Sequence, residues 1–195
     1  MSKLFRAALL LLVLGSCGVR DGSAPRNLEN ACSIITERPH YTRAFKQAER
    51  NWGVETHVLM AMIYQESKFI SDNRPPHQFA LGVIPTGRQS SALGYSQALD
   101  GTWDEYLQQQ GRRGANRTNI NDATDFMGWY MSLSKRENGI ALNDTYNQYL
   151  AYHDGRTGWR RGSYRSKPWL IRIAGEVRDR AVMYDAQLRT CRAFR

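Results

Sequence analysis

The chain has 195 residues, three cysteines and a formal charge of +9, from 27 Lys and Arg against 18 Asp and Glu. That length can bury one substantial core in a single domain. Its cysteines are far apart with no His–Cys cluster beside them, which speaks against a zinc module, and no internal repeat or low-complexity tract points to a repeat array.

Lys3 and Arg6 precede an apolar run from Ala7 to Leu14 that is too short to span a bilayer. The small residues Gly15 and Ser16 follow, so residues 1–16 read as an export signal. The ending Leu14-Gly15-Ser16-Cys17 resembles the lipobox of bacterial lipoproteins, which implies cleavage before Cys17 and acylation of its thiol. An aspartate after the cysteine would favour the inner membrane. Gly18 stands there, so the expected location is the periplasmic face of the outer membrane. Residues 17–38 are expected to be a lipid-anchored tether, because 18–30 are rich in Gly, Ser, Pro and Asn, and residues 39–195 to be the folded domain. Cys32 and Cys191 lie at the two ends of that unit, in an oxidising compartment if export holds, and are expected to pair. Two free thiols are the alternative. Losing Lys3 and Arg6 with the leader leaves +7. An exported chain rarely meets nucleic acid, so this charge better suits an anionic envelope polymer such as peptidoglycan, although a solvated basic face would look the same.

Helical periodicity dominates the remainder. Residues 40–51 carry apolar positions at Tyr41, Phe45 and Ala48 ahead of Gly53, and 55–67 form a second helix. Residues 71–94 break the pattern with three prolines and three glycines. A loop of this length in a compact domain is expected to be functional or mobile, with a small hairpin pairing 83–84 to 92–93. Further helices are expected at 102–110, at 123–137 with Asp122 as N-cap, at 145–153 with Asp144 as N-cap, and at 169–189 behind Pro168. Residues 154–167 read as a basic loop. The fold class is all-α, with a small β element at most.

One residue disturbs the second helix. Leu59, Met62 and Ile63 share a face with Glu66. A carboxylate in apolar company needs either a partner or a task. The structural reading is an ion pair with one of the many arginines. The chemical reading is an acid whose pKa desolvation raises until it can donate a proton near neutral pH, the property that a general acid acting on a glycoside requires.

Glu66-Ser67, then Gly94-Tyr95-Ser96-Gln97, then Ala151-Tyr152-His153-Asp154-Gly155 resemble, in order, the Glu-Ser, Gly-Leu-Met-Gln and Ala-Tyr-Asn-Ala-Gly motifs of the lytic transglycosylases of the goose-type lysozyme superfamily. The resemblance covers roughly residues 39–190. It implies a lysozyme-like helical domain with an active-site cleft, which cuts the β-1,4 bond between N-acetylmuramic acid and N-acetylglucosamine without water and leaves 1,6-anhydro ends. It implies Glu66 as the single acid and base, and Ser67, Tyr95, Ser96, Gln97, Tyr152 and His153 along the sugar site, with Tyr152 orienting the carboxyl through a hydrogen bond. No metal or cofactor is implied. Two departures stand out. Tyr95-Ser96 replaces Leu-Met, which would make an apolar wall of the sugar site polar, and His153-Asp154 replaces Asn-Ala. The stretch between Ser67 and Gly94 is longer than the family norm and is expected to add a lid or a subsite wall.

Among the tryptophans, Trp103 and the basic-loop Trp159 are open positions, with Trp159 the better candidate for glycan contact, while Trp129 and Trp169 are expected in the core. Arginines around Trp159 suit stem-peptide carboxylates or a solvated face. Two other functions stay open: a hydrolytic muramidase, with Asp72, Asp100 or Asp154 as the second carboxylate, and a catalytically silent peptidoglycan-binding lipoprotein within a cell-wall, division or secretion complex.

Overall fold

A computed structural model of the chain describes residues 22–194, so the leader and Cys17 lie outside the described residues. Eight α-helices are present among them: α1 Ala31–Glu37, α2 Pro39–Trp52, α3 Thr56–Ser67, α4 Asp100–Gln110, α5 Ile120–Asn138, α6 Thr145–Asp154, α7 Arg156–Arg161 and α8 Pro168–Thr190. A single antiparallel hairpin, β1 His77–Ala80 with β2 Ile84–Arg88, completes them.

The helices end where backbone chemistry dictates. Gly53, Gly111 and Gly139 close α2, α4 and α5 in left-handed caps, a conformation that glycine adopts without a Cβ clash. Pro168 opens α8, and the Asp144 side chain caps α6 by accepting from the Asn147 amide. At α5 the cap is Asn119, which accepts from the Asn121 amide. Asp122 instead accepts from Arg112 and from the Asn116 amide, so the helix starts three residues earlier than expected.

Helices α3 and α5 run through the centre. In α5 Phe126, Trp129, Tyr130 and Leu133 are all buried, and α2 lies along it with Tyr41, Phe45 and Ala48 turned inward. The contact is close because α5 carries Gly128 opposite Trp52: a Cβ there would stand 2.5 Å from the indole. Helix α8 packs on α3 and α6 through Leu170, Ala174, Val177, Ala181 and Tyr184. Each large apolar side chain fully removed from water contributes about 1.5–3 kcal/mol.

Three further expectations change. The stretch assigned to a tether contains α1, whose Ala31, Ile34 and Ile35 are buried, so packed structure begins before residue 39. Part of the basic loop is helical, as α7 and a 3₁₀ turn at Ser163–Ser166. The hairpin lies within 77–88: Ile84 pairs with Ala80, and Leu93 forms an isolated bridge with Ala98.

Candidate active site

Helix α3 stops abruptly after Ser67. Lys68 and Phe69 both take left-handed φ values, 53° and 63°, and the Lys68 amide closes on the Tyr64 carbonyl at 3.0 Å. Two consecutive non-glycine residues in that region store strain, which structures tolerate chiefly at functional sites. Phe69 is fully buried and anchors the turn.

Glu66 occupies the last turn of this helix. Its Oε1 is buried and has no hydrogen-bond partner among the described residues. Burial pushes its pKa from 4.5 up to about 7, against the opposing effects of a hydrogen bond from the Tyr149 hydroxyl and the charge of Lys68. Among the described residues, no carboxylate contributes to that shift. Lys68 is drawn aside, its ammonium lying over the Tyr64 ring at 3.6 Å, and burial together with the nearby Arg180 lowers its own pKa.

A relay of hydrogen bonds joins the three motifs. The Asn73 side chain donates to the Glu66 carbonyl (3.4 Å), and the Asn73 carbonyl accepts from the Gly94 amide (2.9 Å) and from the Gln97 side chain (2.9 Å). Gln97 also donates to the Gly94 carbonyl (2.8 Å), and Tyr152 donates to the Ser96 carbonyl (2.5 Å). Gly94 is obligatory here. Its φ is 79°, and a Cβ would stand 2.1 Å from the Arg117 carbonyl oxygen. Beside this relay lies a cleft of about 300 Å³, lined by Gln97, Phe126, Tyr130, Tyr152, His153 and Asp154 among others.

The structure thus gathers Gln97, Tyr152 and His153 along that cleft, ties Glu66 to them through Asn73 without placing it among the lining residues, and turns other expected residues away. Ser67 is buried and donates back to the Ile63 carbonyl, so it belongs to the helix end. Tyr95 is buried with its hydroxyl on that of Tyr41, and Ser96 is wholly buried; the Tyr95-Ser96 pair therefore packs inward and makes no polar sugar wall. Tyr152 holds the turn at Ser96, whereas the hydroxyl that meets the Glu66 carboxyl is that of Tyr149. Tyr149 precedes Tyr152 by three residues on α6 and so shares its face.

His153 packs edge-on against Trp169, ring centroids 5.1 Å apart, and burial together with the charge of Lys167 lowers its pKa. Trp169, expected in the core, is 47% exposed because it sits on the first turn of α8 outside the apolar stripe. Trp159 gives its indole N–H to Asn147, and Trp103 and Trp129 are core. Asp154 is tied to Lys167 and Ser163, Asp100 to Arg117, and Asp72 is exposed. Cys32 and Cys191 form a disulfide, with Cα atoms 5.4 Å apart. Among the described residues, no group of three or more His, Cys, Asp or Glu side chains is placed to hold a metal ion.

No curated protein matches the chain. The family model of the transglycosylase SLT domain matches residues 5–191. The chain belongs to that family, and its substrate is accordingly peptidoglycan.

Proposed function

We propose that Glu66 is the general acid and base of a lytic transglycosylase that cuts the β-1,4 bond between N-acetylmuramic acid and N-acetylglucosamine. The observation that carries this reading is the unpartnered Oε1 on a carboxyl raised to about 7 with no second carboxylate acting on it. Protonated, Glu66 gives its proton to the glycosidic oxygen and the bond to C1 breaks. The resulting carboxylate then takes the proton of the muramoyl 6-hydroxyl, which closes on C1. Proton and ring balance without water, and the product ends in 1,6-anhydromuramic acid. Water-dependent glycosidases need a second carboxylate to activate water or to attack the sugar. Asp72, Asp100 and Asp154 are solvated or tied to cations, which supports the one-carboxylate route.

Gln97, Tyr152 and His153 would line the sugar site, with Trp169 offering an exposed ring beside His153. Acylation at Cys17 and a place on the periplasmic face of the outer membrane belong to the same proposal, on the strength of the leader sequence. The intact mass of protein extracted from membranes tests this, and an unmodified Cys17 would refute it.

The reaction is tested by mass spectrometry of muropeptides released from purified sacculi. Products lighter by one water, with no reducible end, are expected from the protein and none from Glu66→Gln. Ordinary reducing ends would establish hydrolysis instead, and equal release by Glu66→Gln would remove Glu66 from the chemistry.

A further inference from the structure

The β1–β2 hairpin presents its apolar residues to solvent. Leu81 is 91% exposed, Val83 76%, Phe79 56% and Ile84 53%, and neither strand packs substantially on any helix. The tip is costly twice over. Leu81 and Gly82 both take left-handed φ values, 52° and 76°, in a turn closed by the Val83 amide on the Ala80 carbonyl. Such a turn favours Asn or Asp at its first central position. A leucine there is unfavourable for the backbone and for solvation alike. Exposed strands are ordinarily guarded with charge, and a cluster of bare apolar residues marks an interaction surface.

Two observations say what covers it. From Asn73 to Leu99 the sequence contains no Asp or Glu, while Arg74, His77 and Arg88 stand at the base of the hairpin. An apolar tip above a cationic base, with no carboxylate between Asp72 and Asp100 in the sequence, is the pattern that meets an anionic lipid surface. The second observation is where the chain enters the described fold. The Gly22 carbonyl accepts from the Ser71 amide at 3.0 Å, and a Cβ on Gly22 would stand 2.5 Å from the Ser71 hydroxyl. Ser71 is six residues before β1. Five residues of fully extended chain reach at most about 18 Å, so an anchor at Cys17 would hold this side of the domain against the bilayer.

We propose that the hairpin tip, through Phe79, Leu81, Val83 and Ile84, inserts into the acyl boundary of an anionic membrane, with Arg74 and Arg88 on the headgroups. It is a second membrane contact that fixes the orientation of the domain, and it does not depend on which glycan bond the active site cuts.

The test uses the chain as it stands after removal of residues 1–16, carrying Cys17→Ser, so that neither an acyl group nor the apolar run Ala7–Leu14 contributes. It is floated with vesicles of phosphatidylcholine alone or with phosphatidylglycerol added. The comparison chain also carries Phe79→Ser, Leu81→Asn and Val83→Ser. All three positions are exposed, and an unchanged melting temperature confirms that the variant folds. The expected result is partitioning onto the anionic vesicles that falls at least about tenfold in the variant. A Leu81→Trp chain should give blue-shifted emission that brominated lipid quenches. Equal flotation of the two chains, or no quenching of the indole introduced by Leu81→Trp, overturns the proposal. So does loss of sacculus binding in the variant with vesicle binding intact, which would assign the hairpin to the glycan. Self-association abolished by the variant, again with vesicle binding intact, would assign it to a second copy of the chain.

Discussion

Glu66 makes the fold less stable near neutral pH. Its carboxyl has a pKa of about 7 in the folded chain and an ordinary value near 4.5 when unfolded. Below 4.5 both states hold the proton and there is no penalty. Between the two values the native state holds more protons than the unfolded chain, so stability falls as pH rises. Above 7 the full cost is present, on the order of 3 kcal/mol. Glu66→Gln should therefore stabilise the protein at pH 8 and leave it nearly unchanged at pH 4, as read by urea unfolding at the two values. A structural ion pair predicts the reverse, with the substitution destabilising at pH 8. Tyr149 tunes the same group. Its hydroxyl favours the ionised carboxylate, so Tyr149→Phe should move the alkaline limb of the pH–rate profile upward from about 7. A profile that keeps its midpoint would reduce Tyr149 to packing. Of this constellation, Glu66 was legible because an acid breaks an apolar stripe. Tyr149 was not, since several tyrosines crowd 146–152 and only the rotation of α6 selects which one reaches the carboxyl.

The long helices were legible as elements because their apolar spacing and glycine stops agree. What escaped lacks one of those signals. Helix α1 has seven residues and follows a polar stretch, and its stability comes from burial of Ile34 and Ile35 and from the Asn30 cap. Helix α7 has six residues and no buried side chain. The hairpin has no alternation to read, since all four residues of β1 are exposed. The contact of α2 with α5 shows what periodicity does not reveal. Asp125, on the buried face of α5, accepts from the Asn51 side chain (2.9 Å), the Trp52 indole (2.9 Å), the Tyr106 hydroxyl (2.7 Å) and Arg112 (2.9 Å). Although burial alone would raise its pKa, these donors hold it below the ordinary carboxylate range. A depressed folded pKa gives stability that is present at neutral pH and is lost as pH falls through the folded value. Asp125→Ala strands donors on α2, on α4 and just past the end of α4, and should cost about 3 kcal/mol at pH 7. The cost should shrink in acid, and a variant equally destabilised at pH 7 and pH 3 would show that packing outweighs the network.

Across the described residues, the segment 28–31 fastens onto α8, the helix that packs against the one bearing Glu66. The Gln187 side chain accepts from the Ala31 amide (2.7 Å) and donates to the Glu29 carbonyl (2.9 Å), and Tyr184 donates to the Leu28 carbonyl. Arg180 pairs with Glu29 at 3.0 Å while lying over the Tyr64 ring of α3. The Cys32–Cys191 bond then closes a separation of 159 residues. Constraining so long a loop in the unfolded chain is worth about 5 kcal/mol in the chain-entropy account. At about 2–4 °C per kcal/mol for a domain of this size, reduction should lower the melting temperature by about 10 °C or more. The native contacts around α8 persist without the bond, so turnover of the reduced protein well below its transition should match that of the oxidised form. An unchanged melting temperature with two titratable thiols would mean the bond does not form in solution. Turnover lost at low temperature would instead mean that α8 needs the bond to hold α3, and with it Glu66, in place.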